Sequence, residues 1–255
     1  MNKLLFSVLI SLLVYLCLEG LPNTQDCESG PSLAHEESKY RYLLYLPKEY
    51  EKDITKKWPL LIFLHGKSLR GNNLEKLKRY GLPELIKRGK EFPFIVASPQ
   101  CPIDKSWNND EWFIPLYREL TQKYRIDPNR IYLTGMSLGG YGVWYTAIRY
   151  PEYFTAIIPL CGGGDAKSVC RIKHIPVWTF HGKADKIVLP EESKKMVDAL
   201  ERCGGNVRFS LLEEKGHDLH RVFHDNKIYM WLLKQSKTDN KKSGKAYEKN
   251  RSSVH

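Results

Sequence analysis

The chain lacks any apolar run long enough to cross a bilayer. Its longest, Leu4 to Leu18, holds 15 residues, where a helical span needs about 20. Stable membrane insertion is therefore not expected. Cysteine is scarce, with six in the whole chain, and no spacing among them is that of a structural zinc site. No metal and no cofactor is implied. No internal repeat is visible. Acidic residues are in deficit, 29 against 40 Lys and Arg, for a formal charge of +11.

Part of that charge is local. Residues 236–255 carry Lys237, Lys241, Lys242, Lys245, Lys249 and Arg251 with almost no apolar side chain. Such a segment cannot bury a face, so a solvated, disordered tail is expected. A weak contact with an acidic surface is the sharper alternative. No nucleic-acid-binding motif accompanies it, so no nucleic-acid partner is expected.

What is present begins at the N-terminus. Lys3 precedes the Leu4–Leu18 run, and a basic start followed by a short apolar stretch is the pattern of a secretory signal peptide. Residues 1–20 are read as that signal, residues 21–38 as a linker, residues 39–235 as one domain. The protein is expected to be secreted or otherwise exported. Removing the signal leaves Cys27, Cys101, Cys161, Cys170 and Cys203. The count is odd, so at least one thiol is free or pairs between chains. One or two disulfides suit an oxidising compartment. Cys161 and Cys170 flank a Gly-rich loop, where a local bridge is one option, but the connectivity stays open.

The hydrophobic fraction, 42%, supports a substantial core. Apolar runs recur at Tyr40–Leu46, Pro59–His65, Phe94–Ser98, Arg130–Gly135, Phe154–Leu160, Ile175–His181 and Asn206–Leu212. Continuous runs of this length suit buried parallel strands. Helix-like segments lie between them at Asn73–Arg88, Asp110–Tyr124, Leu138–Arg149, Pro190–Arg202 and Arg221–Leu233. The alternation predicts a doubly wound, mostly parallel α/β sheet of about 7–8 strands, with helices on both faces. Ligands of such sheets sit at the carboxyl ends of the strands.

Gly135-Met136-Ser137-Leu138-Gly139 matches G-x-S-x-G. By composition alone such a match arises in about one chain in ten of this length. Its setting adds weight: a strand pattern, Ile131–Leu133, comes just before it and a helix pattern just after. That strand–turn–helix context is what a nucleophile elbow requires. Gly140 and Gly142 lower helix propensity, so a packing reason for them is expected.

A serine hydroxyl needs a base, and in this arrangement the acid and the histidine follow the serine in the chain. His217, in Lys215-Gly216-His217-Asp218, follows the last strand and is the expected base. His220 and His224 fall inside the next helix, and His255 lies in the tail. Asp185, in His181-Gly182-Lys183-Ala184-Asp185, is the expected acid, and Asp165 is the second choice. Asp218 adjoins His217 too closely to face its far ring nitrogen. The acid holds the imidazole tautomer and stabilises the imidazolium. The oxyanion donors expected are the backbone N–H groups of Leu138 and Lys67. His65 is expected to brace the loop that carries Lys67. Trp107, on a polar loop after a strand, is the candidate for the substrate cleft.

Together, Tyr45-Leu46-Pro47, Phe63-Leu64-His65-Gly66, Ser98-Pro99-Gln100-Cys101-Pro102, the Ile131–Gly142 segment, Cys161-Gly162-Gly163-Gly164, Phe180–Asp185 and Gly216-His217-Asp218 resemble the α/β-hydrolases. The resemblance is to the esterase and predicted-peptidase branch, with dienelactone-hydrolase, feruloyl and acetylxylan esterase and polyhydroxybutyrate-depolymerase relatives. It runs from about Tyr40 to Leu233. It implies a serine hydrolase acting on a small-molecule or polymer-linked ester. Lys67 departs from the small or apolar residue often found after His-Gly in relatives. Two alternatives stand beside the esterase: a serine peptidase acting on short peptides, and a binding module that keeps the fold without catalysis.

Overall fold

The computed structural model describes residues 40–109 and 111–238. The expected signal peptide, the linker and nearly all of the basic tail lie outside the described residues, as does Asp110.

Seven strands form one sheet: β1 (Tyr42–Tyr45), β2 (Trp58–Leu64), β3 (Ile95–Pro99), β4 (Ile126–Met136), β5 (Ala156–Leu160), β6 (Val177–Gly182) and β7 (Val207–Leu212). Their spatial order is β1-β3-β2-β4-β5-β6-β7. All neighbours pair in parallel except β1, which runs antiparallel to β3 at one edge. The α-helices are α1 (Gly81–Lys87), α2 (Phe113–Lys123), α3 (Leu138–Arg149), α4 (Pro190–Arg202) and α5 (Asn226–Leu233).

The sheet is covered on both faces, which is why its strands read as unbroken apolar runs rather than alternating ones. Along β2, Leu60, Ile62 and Leu64 enter one core with residues of α2, α3 and α4. Leu61 and Phe63 enter the other, with α1 and α5. Every residue of β2 is buried. The doubly wound architecture expected from the alternation is the one observed.

Three local differences have physical causes. First, β4 starts at Ile126, four residues before the apolar run. Its register with β2 shifts between Trp58 and Leu60, so Asp127–Arg130 bulges out, with the Asp127 carboxylate holding the Asn129 amide and Arg130 Nε. Second, the Asn73–Arg88 segment is a 3-10 helix (Leu74–Arg79) followed by α1. Tyr80 between them is extended and Gly81 has φ +65°. A Cβ on Gly81 would lie 2.3 Å from the Phe63 ring, so the chain turns there on a residue without one. Third, Arg221–Leu233 is likewise split. His220–His224 is a 3-10 turn, and Asp225 caps α5 by accepting from the Lys227 amide at 2.9 Å.

Among the described residues one disulfide forms, within the one or two expected, and its partners differ from the local Cys161–Cys170 option. Cys170 pairs with Cys203, tying the loop after β5 to the end of α4. Cys161 is a buried free thiol, as is Cys101. A Cys161–Cys170 bridge is excluded because Cys161, just after β5, is buried in the core while Cys170 is exposed and bonded to Cys203.

Candidate active site

Ser137 sits between β4 and α3 with φ 59° and ψ −120°. Positive φ is costly for a residue with a Cβ. The turn is held by backbone bonds, Ser137 N–H to the Leu160 carbonyl at 2.9 Å and Tyr141 N–H to the Ser137 carbonyl at 3.0 Å. It also depends on close backbone approach. A Cβ on Gly139 would lie 2.0 Å from the Leu64 carbonyl oxygen. The expected packing reason for Gly140 and Gly142 is visible: their missing Cβ atoms leave room for the Leu160 carbonyl and the Trp107 side chain.

His217 reaches Ser137 from the loop after β7. Its Nε2 is 2.8 Å from Ser137 Oγ, and its Nδ1 is 2.7 Å from Asp185 Oδ2. A carboxylate accepts only, so Nδ1 carries the proton and Nε2 is left to accept from the serine hydroxyl. Asp185 is buried, and Oδ1 accepts from the Ile187 and Val188 amides at 2.9 and 3.0 Å. Burial alone would raise its carboxyl pKa. The hydrogen bonds from His217, Val188 and Ile187 outweigh that, and the net shift is downward. Asp165, the second choice for the acid, is exposed and instead accepts from Lys167 N–H and Ser168 Oγ.

The loop after β2 closes the other side. A Cβ on Gly66 would lie 3.6 Å from Ser137 Cβ, so this turn abuts the serine. Lys67 opens a 3-10 helix there and Leu138 opens α3. Among the described residues, neither amide donates to a protein acceptor, as befits the first amide of a helix. His65 lies beneath the turn, buried. Its Nε2 accepts from the Cys101 amide at 3.0 Å and its Nδ1 donates to the Gly66 carbonyl at 2.8 Å. Burial pushes its pKa down to about 4, so it is a neutral brace near neutral pH.

Trp107 requires a correction. It is fully buried, its indole N–H donates to the His65 carbonyl at 3.0 Å, and its ring packs edge-on against His65 and Trp112. It supports the Gly66–Lys67 turn from below and does not line a substrate cleft. Its apolar bulk, together with a carbonyl needing a donor, draws it into the core.

From the sequence, several neighbours have no assigned role at the site. Tyr80, brought in by the break before α1, donates to Asp218 Oδ1 at 2.6 Å and so ties down the His217 loop. Asp218 also accepts from the His220 amide. The Cys161 thiol donates to the His217 carbonyl at 3.3 Å, and burial raises its pKa, keeping it a thiol. His181 lies behind Asp185, its Nε2 at 2.9 Å from the Val188 carbonyl and Nδ1 at 2.7 Å from Ser193 Oγ. Cys161, His181 and Asp185 are the metal-ligand types that cluster among the described residues. Their donor atoms are spent on the hydrogen bonds just given.

Residues 108–179 match a family model described as the prolyl oligopeptidase family, a stretch holding Ser137 but neither Asp185 nor His217. A solved structure described as a thermostable esterase is 36% identical, with a TM-score of 0.62, over 77% of this chain and 59% of that one. Poly(3-hydroxyalkanoate) depolymerase C of Paucimonas lemoignei is 27% identical over 124 residues, 41% of this chain and 28% of the relative. A bifunctional acetylxylan esterase/xylanase of Neocallimastix patriciarum is 23% identical over 137 residues, 51% of this chain and 20% of the relative. The chain thus spans under two thirds of the esterase and about a quarter of the curated relatives. By its sheet, and by its likeness to these proteins, the chain has the α/β-hydrolase fold, and the proteins it resembles include named esterases.

Proposed function

We propose that the protein is a serine hydrolase that cleaves carboxylic esters through an acyl-enzyme on Ser137. The observation that carries this reading is the hydrogen-bonded relay from Asp185 through His217 to Ser137, with links of 2.7 and 2.8 Å. His217 Nε2 takes the proton of Ser137 as Oγ attacks the ester carbonyl carbon. The resulting oxyanion accepts from the Leu138 and Lys67 amides. The tetrahedral adduct collapses by breaking the bond to the alcohol oxygen, which leaves with the proton held on Nε2. Water, deprotonated by the same nitrogen, then attacks the acyl carbon, and the acid departs as Ser137 regains its proton. Asp185 holds the imidazole in the tautomer this sequence needs and offsets the charge of the imidazolium.

The substrate class is a small or polymer-linked ester, in keeping with relatives named for polyhydroxyalkanoate and acetylxylan. A peptidase acting on short peptides is the second reading, favoured by the prolyl oligopeptidase family match over residues 108–179. A panel of p-nitrophenyl esters against short peptides separates the two, with Ser137→Ala as the control. Ester turnover that depends on Ser137, with peptides left intact, supports the proposal. Turnover of peptides alone selects the second reading.

Export is part of the proposal. It is supported by the apolar Leu4–Leu18 run after Lys3 and by the Cys170–Cys203 disulfide, which suits an oxidising compartment. Detection of the mature chain in culture medium, with an N-terminus near residue 21, tests it.

A further inference from the structure

A cavity of about 460 Å³ lies beside the Gly66–Asn73 turn, between the start of β1 and the loop after β3. That is an ordinary size for a small-molecule site, about 300–1,000 Å³. Arg41, Arg70 and Lys76 face it, with Asp104 as its acid.

None of the three cations has a carboxylate partner among the described residues. Some cations elsewhere, such as Lys123 and Lys194, pair with a carboxylate one helical turn away, Glu119 and Asp198. Glu75 adjoins Lys76 in sequence, yet it bonds Lys78 at 2.6 Å and leaves Lys76 unpaired. The two arginines are held instead by backbone carbonyls. Arg41 Nη1 donates to Asn72 O at 3.2 Å and Arg70 Nη1 donates to Lys105 O at 2.9 Å. These bonds fix the guanidinium groups and neutralise neither.

The frame is rigid. Gln100, 3% exposed, donates from Nε2 to the Leu69 and Asn73 carbonyls at 2.9 and 3.0 Å. The Gly71 amide donates to the Cys101 carbonyl at 2.9 Å. Lys76 Nζ stands over Gly71, 3.9 Å from where a Cβ would be. Three cations without a carboxylate partner around one cavity, two of them held by backbone carbonyls, ask for an oxyanion. Asp104 and Asn72, also in the lining, offer acceptors for hydroxyl groups, and the Asp104 charge opposes a dianion.

We propose that this cavity binds a hydroxylated carboxylic acid of about sugar-acid size, its carboxylate on Arg41, Arg70 and Lys76 and its hydroxyls on Asp104 and Asn72. The turn that walls the cavity also abuts Ser137 through Gly66. On the ester-hydrolase reading, on which this part rests, the bound acid is a portion of the ester substrate.

Calorimetric titration of the full chain with D-glucuronate, D-glucose and inorganic phosphate tests the site. Lys76→Gln and Arg41→Gln serve as variants, with thermal melts to verify their folds. Glucuronate should bind at least about tenfold more tightly than glucose, and each variant should weaken it by about three- to tenfold. Equal affinity for glucose, no heat with glucuronate, or indifference to both variants overturns the proposal. Phosphate binding as tight as glucuronate overturns the hydroxy-acid assignment. Turnover of p-nitrophenyl acetate is read separately. A chain that binds glucuronate but cleaves no ester retains the site and loses the hydrolase reading.

Discussion

A methyl group placed on Gly139 would lie 2.0 Å from the carbonyl oxygen of Leu64. The first turn of α3 and the end of β2 are therefore pressed together, backbone on backbone. This contact brings the Ser137 turn against the Gly66–Lys67 turn. Neither partner yields readily, because Leu64 is fully buried and paired with Gly135 of β4. Gly139→Ala is expected to destabilise the fold by at least about 2–3 kcal/mol, read by urea denaturation. A variant within about 0.5 kcal/mol of the wild type would contradict this packing.

Asp185→Asn should leave the fold intact and remove most ester turnover. An amide can donate to His217 Nδ1 and so favours the tautomer with a proton on Nε2, the wrong one for a base. Losses of about 10⁴-fold in kcat accompany that change in another enzyme with this constellation. Asp165→Asn, remote from the relay, is the matched control and should keep full turnover.

Stability should fall as pH falls from neutrality. In the folded chain His65 has its pKa lowered from 6.5 to about 4 by burial. Between those values the unfolded chain takes up a proton that the folded chain refuses, so the unfolded state gains. The full effect is up to about 3 kcal/mol. Asp185 and Asp218 are also depressed, below 3.8. Their contributions are present above that value and are lost as pH drops through their folded pKa. The urea midpoint should decline from pH 7 to pH 4.5 and collapse below. A flat profile over the first interval contradicts the assignment of a buried, neutral His65.

Cys170 and Cys203 are separated by 33 positions. Closing a loop of that length stabilises a chain by about 3–4 kcal/mol on the chain-entropy account. A Cys170→Ser, Cys203→Ser double variant should melt roughly 8–12 °C lower. Cys101 and Cys161 should stay unreactive toward thiol reagents until the chain unfolds.

The sheet was legible because burial on both faces turns the inner strands into apolar runs; β7, at the edge, is half-exposed and carries Arg208 and Ser210. That Ser137, His217 and Asp185 come together was legible because strand ends punctuated by glycine announce themselves, as Gly135-Met136-Ser137 and Lys215-Gly216-His217 do. Tyr80 was not legible. Its place at the His217 loop depends on the left-handed Gly81, forced by the Phe63 ring, which no local pattern reveals. Trp107 misled because a polar loop suggests exposure, whereas the His65 carbonyl inside the core needed its N–H. The Cys170–Cys203 pairing joins two loops that only the β5–β6–α4 packing brings together.

The proposed chemistry turns on one hydroxyl, that of Ser137. A fluorophosphonate probe, followed by peptide mapping, reads its nucleophilicity without any choice of ester. Covalent label is expected on Ser137 in the wild-type chain, strongly reduced in His217→Ala and absent in Ser137→Ala, in step with p-nitrophenyl acetate turnover. A folded wild-type chain that takes up no label, or takes it up elsewhere with ester turnover unchanged in Ser137→Ala, would contradict it.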